Sequence, residues 1–282
     1  MELTEREGLL RLRTEDDLDL ERIFTCGQCF RWRRTGPGEY TGVAMGRALR
    51  LRQEGDTLLL RCSAEEFGAV WRDYFDLDRD YRAIRRRLAI DDFMRAASDF
   101  GAGIRILRQD GWEALCSFIL SQCCNIPRIT GMIEALCRAF GEPVSYEGET
   151  FYTFPGPDRL AGLREEELAP LRAGYRAKYV LSAARAVSSG AMDLEAAARG
   201  TPEEAVAMLR SLPGVGDKVA SCAVLFGLGM TDAFPVDVWM RRALREHYPD
   251  GLDPRVFSPW AGIAQQYIFH YARSGGQKRV KG

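Results

Sequence analysis

Residues 212–216 read LPGVG, and they join two segments with helical apolar spacing. Ala205, Met208, Leu209 and Leu212 form a stripe before the turn; Val219, Ala220, Ala223 and Val224 form one after it. So short a Gly- and Pro-containing connection predicts a tight helix–hairpin–helix. Gly214 and Gly216 permit backbone angles that other residues resist, and they leave backbone N–H groups bare at the start of the second helix. Bare N–H groups and the helix dipole together make a site for one phosphate.

Two other glycine-loop readings fail. A dinucleotide fold needs a strand before its glycines, and here a helix precedes them. The G-x-x-x-x-G-K-[ST] spacing of a nucleoside-triphosphate loop is absent.

By the 100° step of a helix, Lys218, Ser221, Cys222 and Leu225 share one face, apart from the core stripe. A lysine on a second, partly apolar face is placed for a pocket, and burial favours its neutral, nucleophilic amine. The plainer alternative is a cation that holds phosphate. Phe234-Pro235-Val236-Asp237 then opens another helix with Asp237 at its N-cap. Capping alone explains an aspartate there; aimed at the mouth of a lysine pocket, the same carboxylate also stabilises a developing cationic sugar and relays protons.

The rest of the chain frames this hairpin. Residues 27–62 read as a meander of four strand-like runs, GQCFRWRRT, EYTGVAM, ALRLRQ and TLLLRC, separated by glycine-rich turns. From about residue 64 the periodicity is helical. The expected plan is α+β: an antiparallel sheet domain with flanking helices over residues 1–100, then a mostly α-helical domain over 101–282. With 282 residues, 46% of them hydrophobic, the chain is long enough for that.

No run of about 18 apolar residues and no secretory leader is evident, so a cytoplasmic protein free of membranes is expected. Cys26 and Cys29 form a CxxC, but His247 and His270 are the only histidines and no second cysteine pair suits a metal; none is expected. The net charge of −1 is uninformative beside local basic clusters at Arg85–Arg87, Arg172–Lys178, Arg241-Arg242 and Lys278–Lys281.

LPGVGDKVA followed about 20 residues later by PVD resembles the helix–hairpin–helix DNA glycosylases. Lysine in the hairpin marks their bifunctional branch, with lyase activity. GQCFRW at 27–32, ILRQDGWEALCSFI at 106–119, NIPRITGMIEALCRAFG at 125–141, GYRAKYV at 174–180 and PWAGIAQQYIF at 259–269 extend the likeness over nearly the whole chain. They are similar to the 8-oxoguanine DNA glycosylase family. The resemblance implies a monomeric base-excision repair enzyme that acts on double-stranded DNA containing 8-oxoguanine without a cofactor.

It also implies roles. Lys218 attacks the anomeric carbon, giving a Schiff base and strand cleavage by β-elimination, and Asp237 assists electrostatically. Cys222 and Phe269 sandwich the flipped base. Gln265 reads its Watson–Crick edge, and the backbone carbonyl of Gly27 accepts the N7 hydrogen of the oxidised base. The i+4 spacings of Lys218–Cys222 and Gln265–Phe269 agree with a shared pocket. Tyr175 wedges into the gap, Arg128 and Arg176 bind the orphaned cytosine, and Gly214 and Gly216 hold the backbone. GYRAKY itself interleaves aromatic and basic side chains as a DNA face does.

Two departures stand out. Cys123-Cys124-Asn125 replaces the family's asparagine run, so cytosine discrimination loses a hydrogen-bonding group at Cys123. Trp239 stands where eukaryotic members carry histidine. The rivals are an alkylpurine glycosylase of the same fold, which usually lacks the hairpin lysine, and a non-catalytic DNA-binding module in which Lys218 and Asp237 are a phosphate grip and a helix cap.

Overall fold

Leu10 and Leu12 alternate with Arg11 and Arg13, and Leu58 and Leu60 lie opposite them; all four leucines are buried. In the computed structural model, which describes residues 2–6, 8–14 and 16–275, this pairing closes a six-stranded antiparallel sheet of order β1-β2-β6-β5-β4-β3. The strands are β1 (Glu2–Arg6), β2 (Leu9–Arg13), β3 (Trp32–Gly36), β4 (Glu39–Ala44), β5 (Arg47–Glu54) and β6 (Thr57–Leu60).

The meander β3–β6 follows the expected run order. The first run is shorter than expected, because residues 27–31 leave the ladder. The fully buried amide of Gln28 takes its place: Nε2 donates to the carbonyls of Ile23 (3.1 Å) and Arg105 (2.8 Å), and Oε1 accepts from Leu107 N (2.9 Å). This carries Gly27 away from the sheet toward the helices. Strands β1 and β2 were not expected; their signal is the alternation of Leu10 and Leu12 with charged neighbours.

Two hydrophobic cores result. One lies under the sheet, where Phe24, Trp32, Trp71, Tyr74 and Phe75 pack on the inward leucines. The other joins the helices and already includes Tyr81, Ile84, Leu88, Met94 and Ala97 from Tyr81–Leu88 and Asp92–Phe100. The helix Asp92–Phe100 packs against Ala261–Arg273, the last helix described. Among the described residues no helix is long and apolar enough to cross a membrane.

One further hairpin interrupts the helical stretch: β7 (Pro143–Tyr146) and β8 (Glu149–Tyr152), turned by Glu147 and Gly148, both at positive φ. It covers β5, where Arg50 pairs with Glu147 (2.9 Å) and Glu149 (3.2 Å). Pro143 and a two-residue turn explain why helix periodicity fails there.

The basic clusters divide. Arg85 pairs with Asp17 (2.8 Å) and Asp99 (2.5 Å), and Arg87 lies over the Trp260 ring. Lys278–Lys281 lie outside the described residues.

Candidate active site

The predicted hairpin forms as expected. Helix Pro202–Leu209, opened by a Thr201–Glu204 capping box, is followed by LPGVG and then by helix Asp217–Phe226. Gly216 is the N-cap of that second helix, and no side chain caps it, so its first amide groups keep their donors for another acceptor. Gly214 has φ +79°, and a Cβ there would come within 2.3 Å of the Tyr179 ring. Both facts require glycine.

Six of the predicted residues meet in a narrow cavity of about 50 Å³, lined by Gly27, Lys218, Cys222, Asp237, Gln265 and Phe269 together with Phe118, Phe226, Pro235 and Gln266. Five separate segments build it. The lysine, half-buried, donates to Ser121 Oγ at 3.3 Å and lies 5.1 Å from the centroid of the Phe118 ring. Burial pushes the Cys222 thiol upward while the Lys218 charge pulls it down, and burial prevails; the sulfur is a neutral, polarisable surface. Leu225, on the same helical face, goes into the core, whereas Ser221 faces a different cavity beside Val206 and Phe234. The predicted face is therefore narrower than its spacing suggests, because the two cavities lie on either side of the helix.

Asp237 is both a helix cap and a cavity residue. Its Oδ1 accepts from Met240 N at 2.8 Å as the cap of Val238–His247, and the residue lines the cavity. Val238 and Trp239, next to it, are exposed.

The helix Ala261–Arg273 brings Gln265 and Phe269 to the cavity on one face. Gln265 is 4% exposed, and its Oε1 has no hydrogen-bond partner. Gln266 Nε2 donates to the Cys26 carbonyl at 2.9 Å, which ties this helix to the loop carrying Gly27. Gly27 has φ +89°, and a Cβ there would lie 3.3 Å from Arg273 and 3.6 Å from the Phe269 ring. Cys26 and Cys29 are both buried; burial pushes the Cys26 thiol to about 11 and the Cys29 thiol well above its ordinary value.

The predicted DNA face lies on two adjoining loops. Cys123 is exposed in the left-handed region at φ +49°, and Tyr175, 46% exposed, reaches its thiol. Asn125 caps Ile126–Phe140 by accepting from Arg128 N at 3.0 Å. Arg128 is exposed and touches the Arg172 carbonyl. Arg176 is buried: Nε donates to the Gln122 carbonyl at 2.8 Å, Nη2 donates to the same oxygen, and Nη1 donates to Ala173 O at 3.1 Å. Its guanidinium lies 4.5 Å from the centroid of the Tyr175 ring. Four of its contacts thus hold the two loops and the Tyr175 ring together.

Sequence reasoning passed over Phe118, Ser121, Pro235 and Gln266 as pocket residues. Phe118 had a visible signal: it falls to one side of the stripe of Trp112, Leu115, Cys116 and Ile119 on Gly111–Leu120, about 100° from its centre by the helical step.

Comparison with known proteins agrees with this geometry. Residues 10–115 match the 8-oxoguanine DNA glycosylase N-terminal domain, and residues 116–254 match the HhH-GPD superfamily of base excision DNA repair proteins. An N-glycosylase/DNA lyase of Arabidopsis thaliana is 34% identical over 93% of this chain and 76% of its own. That of Saccharomyces cerevisiae is 31% identical over 83% of this chain and 69% of its own. The 8-oxoguanine glycosylase/lyase of Clostridium acetobutylicum, solved with double-stranded DNA containing cytosine opposite the lesion, superposes with a TM-score of 0.92, 36% identity and 98% coverage of each chain. A shared hairpin, a shared two-domain match and end-to-end likeness at this identity lead to one conclusion: the chain belongs to the 8-oxoguanine DNA glycosylase family of helix–hairpin–helix base-excision repair proteins.

Proposed function

We infer that the protein excises 8-oxoguanine from duplex DNA and then cleaves the strand at the resulting abasic sugar. The observation that carries this reading is Gln265 Oε1, a buried acceptor without a partner at a cavity that also contains a lysine and a carboxylate. An unmet acceptor costs about 1–3 kcal/mol, which a base N–H would recover on entering.

The chemistry follows from the residues present. The hairpin amides at Gly214 and Gly216 bind a backbone phosphate, and Tyr175 fills the space left by the extruded nucleotide. The base enters between Cys222 and Phe269, displacing the half-buried Phe269 ring, since the cavity as it stands holds only a few waters. Gln265 reads its Watson–Crick edge, and the Gly27 carbonyl accepts the N7 hydrogen.

Lys218 Nζ, as the neutral amine, then forms a bond to C1′ while the glycosidic C–N pair departs with the base, which gains a proton. Asp237 stabilises the positive sugar that develops. The lone pair left on the amine then forms the C1′=N bond of a protonated Schiff base and expels O4′, which takes up a proton as the sugar ring opens. Removal of a C2′ proton then expels the 3′ phosphate by β-elimination. Arg128 and Arg176 face the opposite cytosine; Arg176 reaches it only by giving up part of its bonding to Gln122.

The test is incubation with duplex DNA carrying 8-oxoguanine opposite cytosine, followed by borohydride. A covalent adduct with the wild type that is lost in Lys218→Gln, along with at least ~10³-fold of strand cleavage, is the expected result. Release of the base without any adduct would overturn the lysine's role, and no release at all would leave only a binding module.

A further inference from the structure

Tyr179 connects two parts of the DNA face that the sequence treats separately. It lies one helical turn after Tyr175 on Arg176–Ser188, and the two rings meet edge-to-face with centroids 6.0 Å apart. The other side of the Tyr179 ring covers Gly214, so closely that a Cβ there would fall 2.3–2.6 Å from three ring carbons. Arg176 stacks on the far side of Tyr175 at 4.5 Å, and Lys178 lies 5.2 Å from the centre of the Tyr179 ring. Tyr179 is itself half-buried against the helical core.

We propose that Tyr179 is a positioning residue: its ring fixes the distance between the wedge at Tyr175 and the phosphate-binding hairpin at Gly214, so that both engage one duplex at the same time. The proposal rests on the reading of Tyr175 as the wedge. Gly214 and Tyr175 belong to segments about 40 residues apart, and the Tyr179 ring touches both. Aromatic faces are rigid at two torsions, so the spacing is held with little rotamer freedom. Removing the ring frees the hairpin to shift toward the helix, and the wedge loses its side support.

The experiment compares Tyr179→Phe, Tyr179→Leu, Tyr175→Ala and the double variant Tyr175→Ala/Tyr179→Leu under single-turnover conditions. Two substrates are used: 8-oxoguanine opposite cytosine in duplex, and a preformed abasic site in single-stranded DNA with borohydride trapping. The single strand needs the lysine but neither the wedge nor the double-helical grip.

Tyr179→Leu is expected to slow base excision from duplex by about tenfold or more, with trapping on the single strand kept within about twofold of wild type. Tyr179→Phe is expected to match wild type on both, because the ring and not the hydroxyl carries the contact. The double variant should excise no more slowly than Tyr175→Ala, since coupled residues are not additive. Wild-type excision by Tyr179→Leu overturns the proposal. So does an equal loss on both substrates, which would mark general damage to the fold. If Tyr175→Ala excises as fast as wild type, the wedge reading itself fails, and that arm shows it separately.

Discussion

Gln265 and Gln266 are neighbours, both almost wholly buried, and oppositely satisfied: Gln266 donates its amide to the Cys26 carbonyl at 2.9 Å, while Gln265 Oε1 has no partner. One glutamine is structural, and the other is the one we propose to read the base. Gln265→Met keeps the volume and removes the orphaned acceptor. It should leave the free protein as stable or more stable, by up to about 1 kcal/mol in denaturant unfolding. It should also slow 8-oxoguanine excision by about tenfold or more. A variant that loses stability and keeps activity would refute the assignment.

Asp237 has a capping role and a proposed electrostatic role, and two substitutions separate them. Asparagine caps about as well as aspartate, so Asp237→Asn should melt within a degree or two of wild type. Its excision should fall by about 10²-fold, because the charge is gone. Asp237→Ala should lose the activity and also about 1 kcal/mol of stability. Equal melting of both variants would show that the bond to Met240 N contributes nothing.

Cys123 lies beside Tyr175, the proposed wedge, with a thiol in place of an amide. A thiol is a weak donor, so cytosine should be preferred over adenine opposite the lesion by less than in the Cys123→Asn variant. Excision rates with each of the four opposite bases check this. A preference unchanged by Cys123→Asn would assign all discrimination to Arg128 and Arg176.

His270 is held neutral. Burial first, then the charges of Arg22 and Arg273, lower it to about 4 from an ordinary 6.5, with Asp19 opposing. Because the folded value is depressed, the unfolded chain takes up this proton first as pH falls. The stability linked to His270 is complete above about 6.5 and is lost progressively down to about 4. Urea midpoints across that window should fall with pH, and His270→Gln should flatten this part of the slope. A slope that is the same in both proteins would remove His270 as its source.

The hairpin was legible because its cause is local. Two apolar stripes and a Gly-Pro turn fix LPGVG, and helical spacing paired Lys218 with Cys222; Gln265 and Phe269 came from the family resemblance, with which their i+4 spacing agrees. The sheet was legible where strands alternate and turns carry glycine. It was lost at β1 and β2, which stand in a charged stretch; β1 pairs with β2, and β2 joins the sheet through β6 across more than 40 residues of chain.

The cavity itself was not in any one segment. The placement of Phe118 against Lys218, the tie between Gln266 and the Gly27 loop, and the burial of Arg176 under Gln122 all join residues far apart in sequence. Residue types and spacing set which groups share a helix face. Only packing of five segments decided which of those faces meet, which polar atom stays unpaired, and that Ser221 looks into another cavity while Lys218 lines this one. Local periodicity constrains direction along one helix; which faces are apposed depends on non-local contacts, whose energy no single stretch contains.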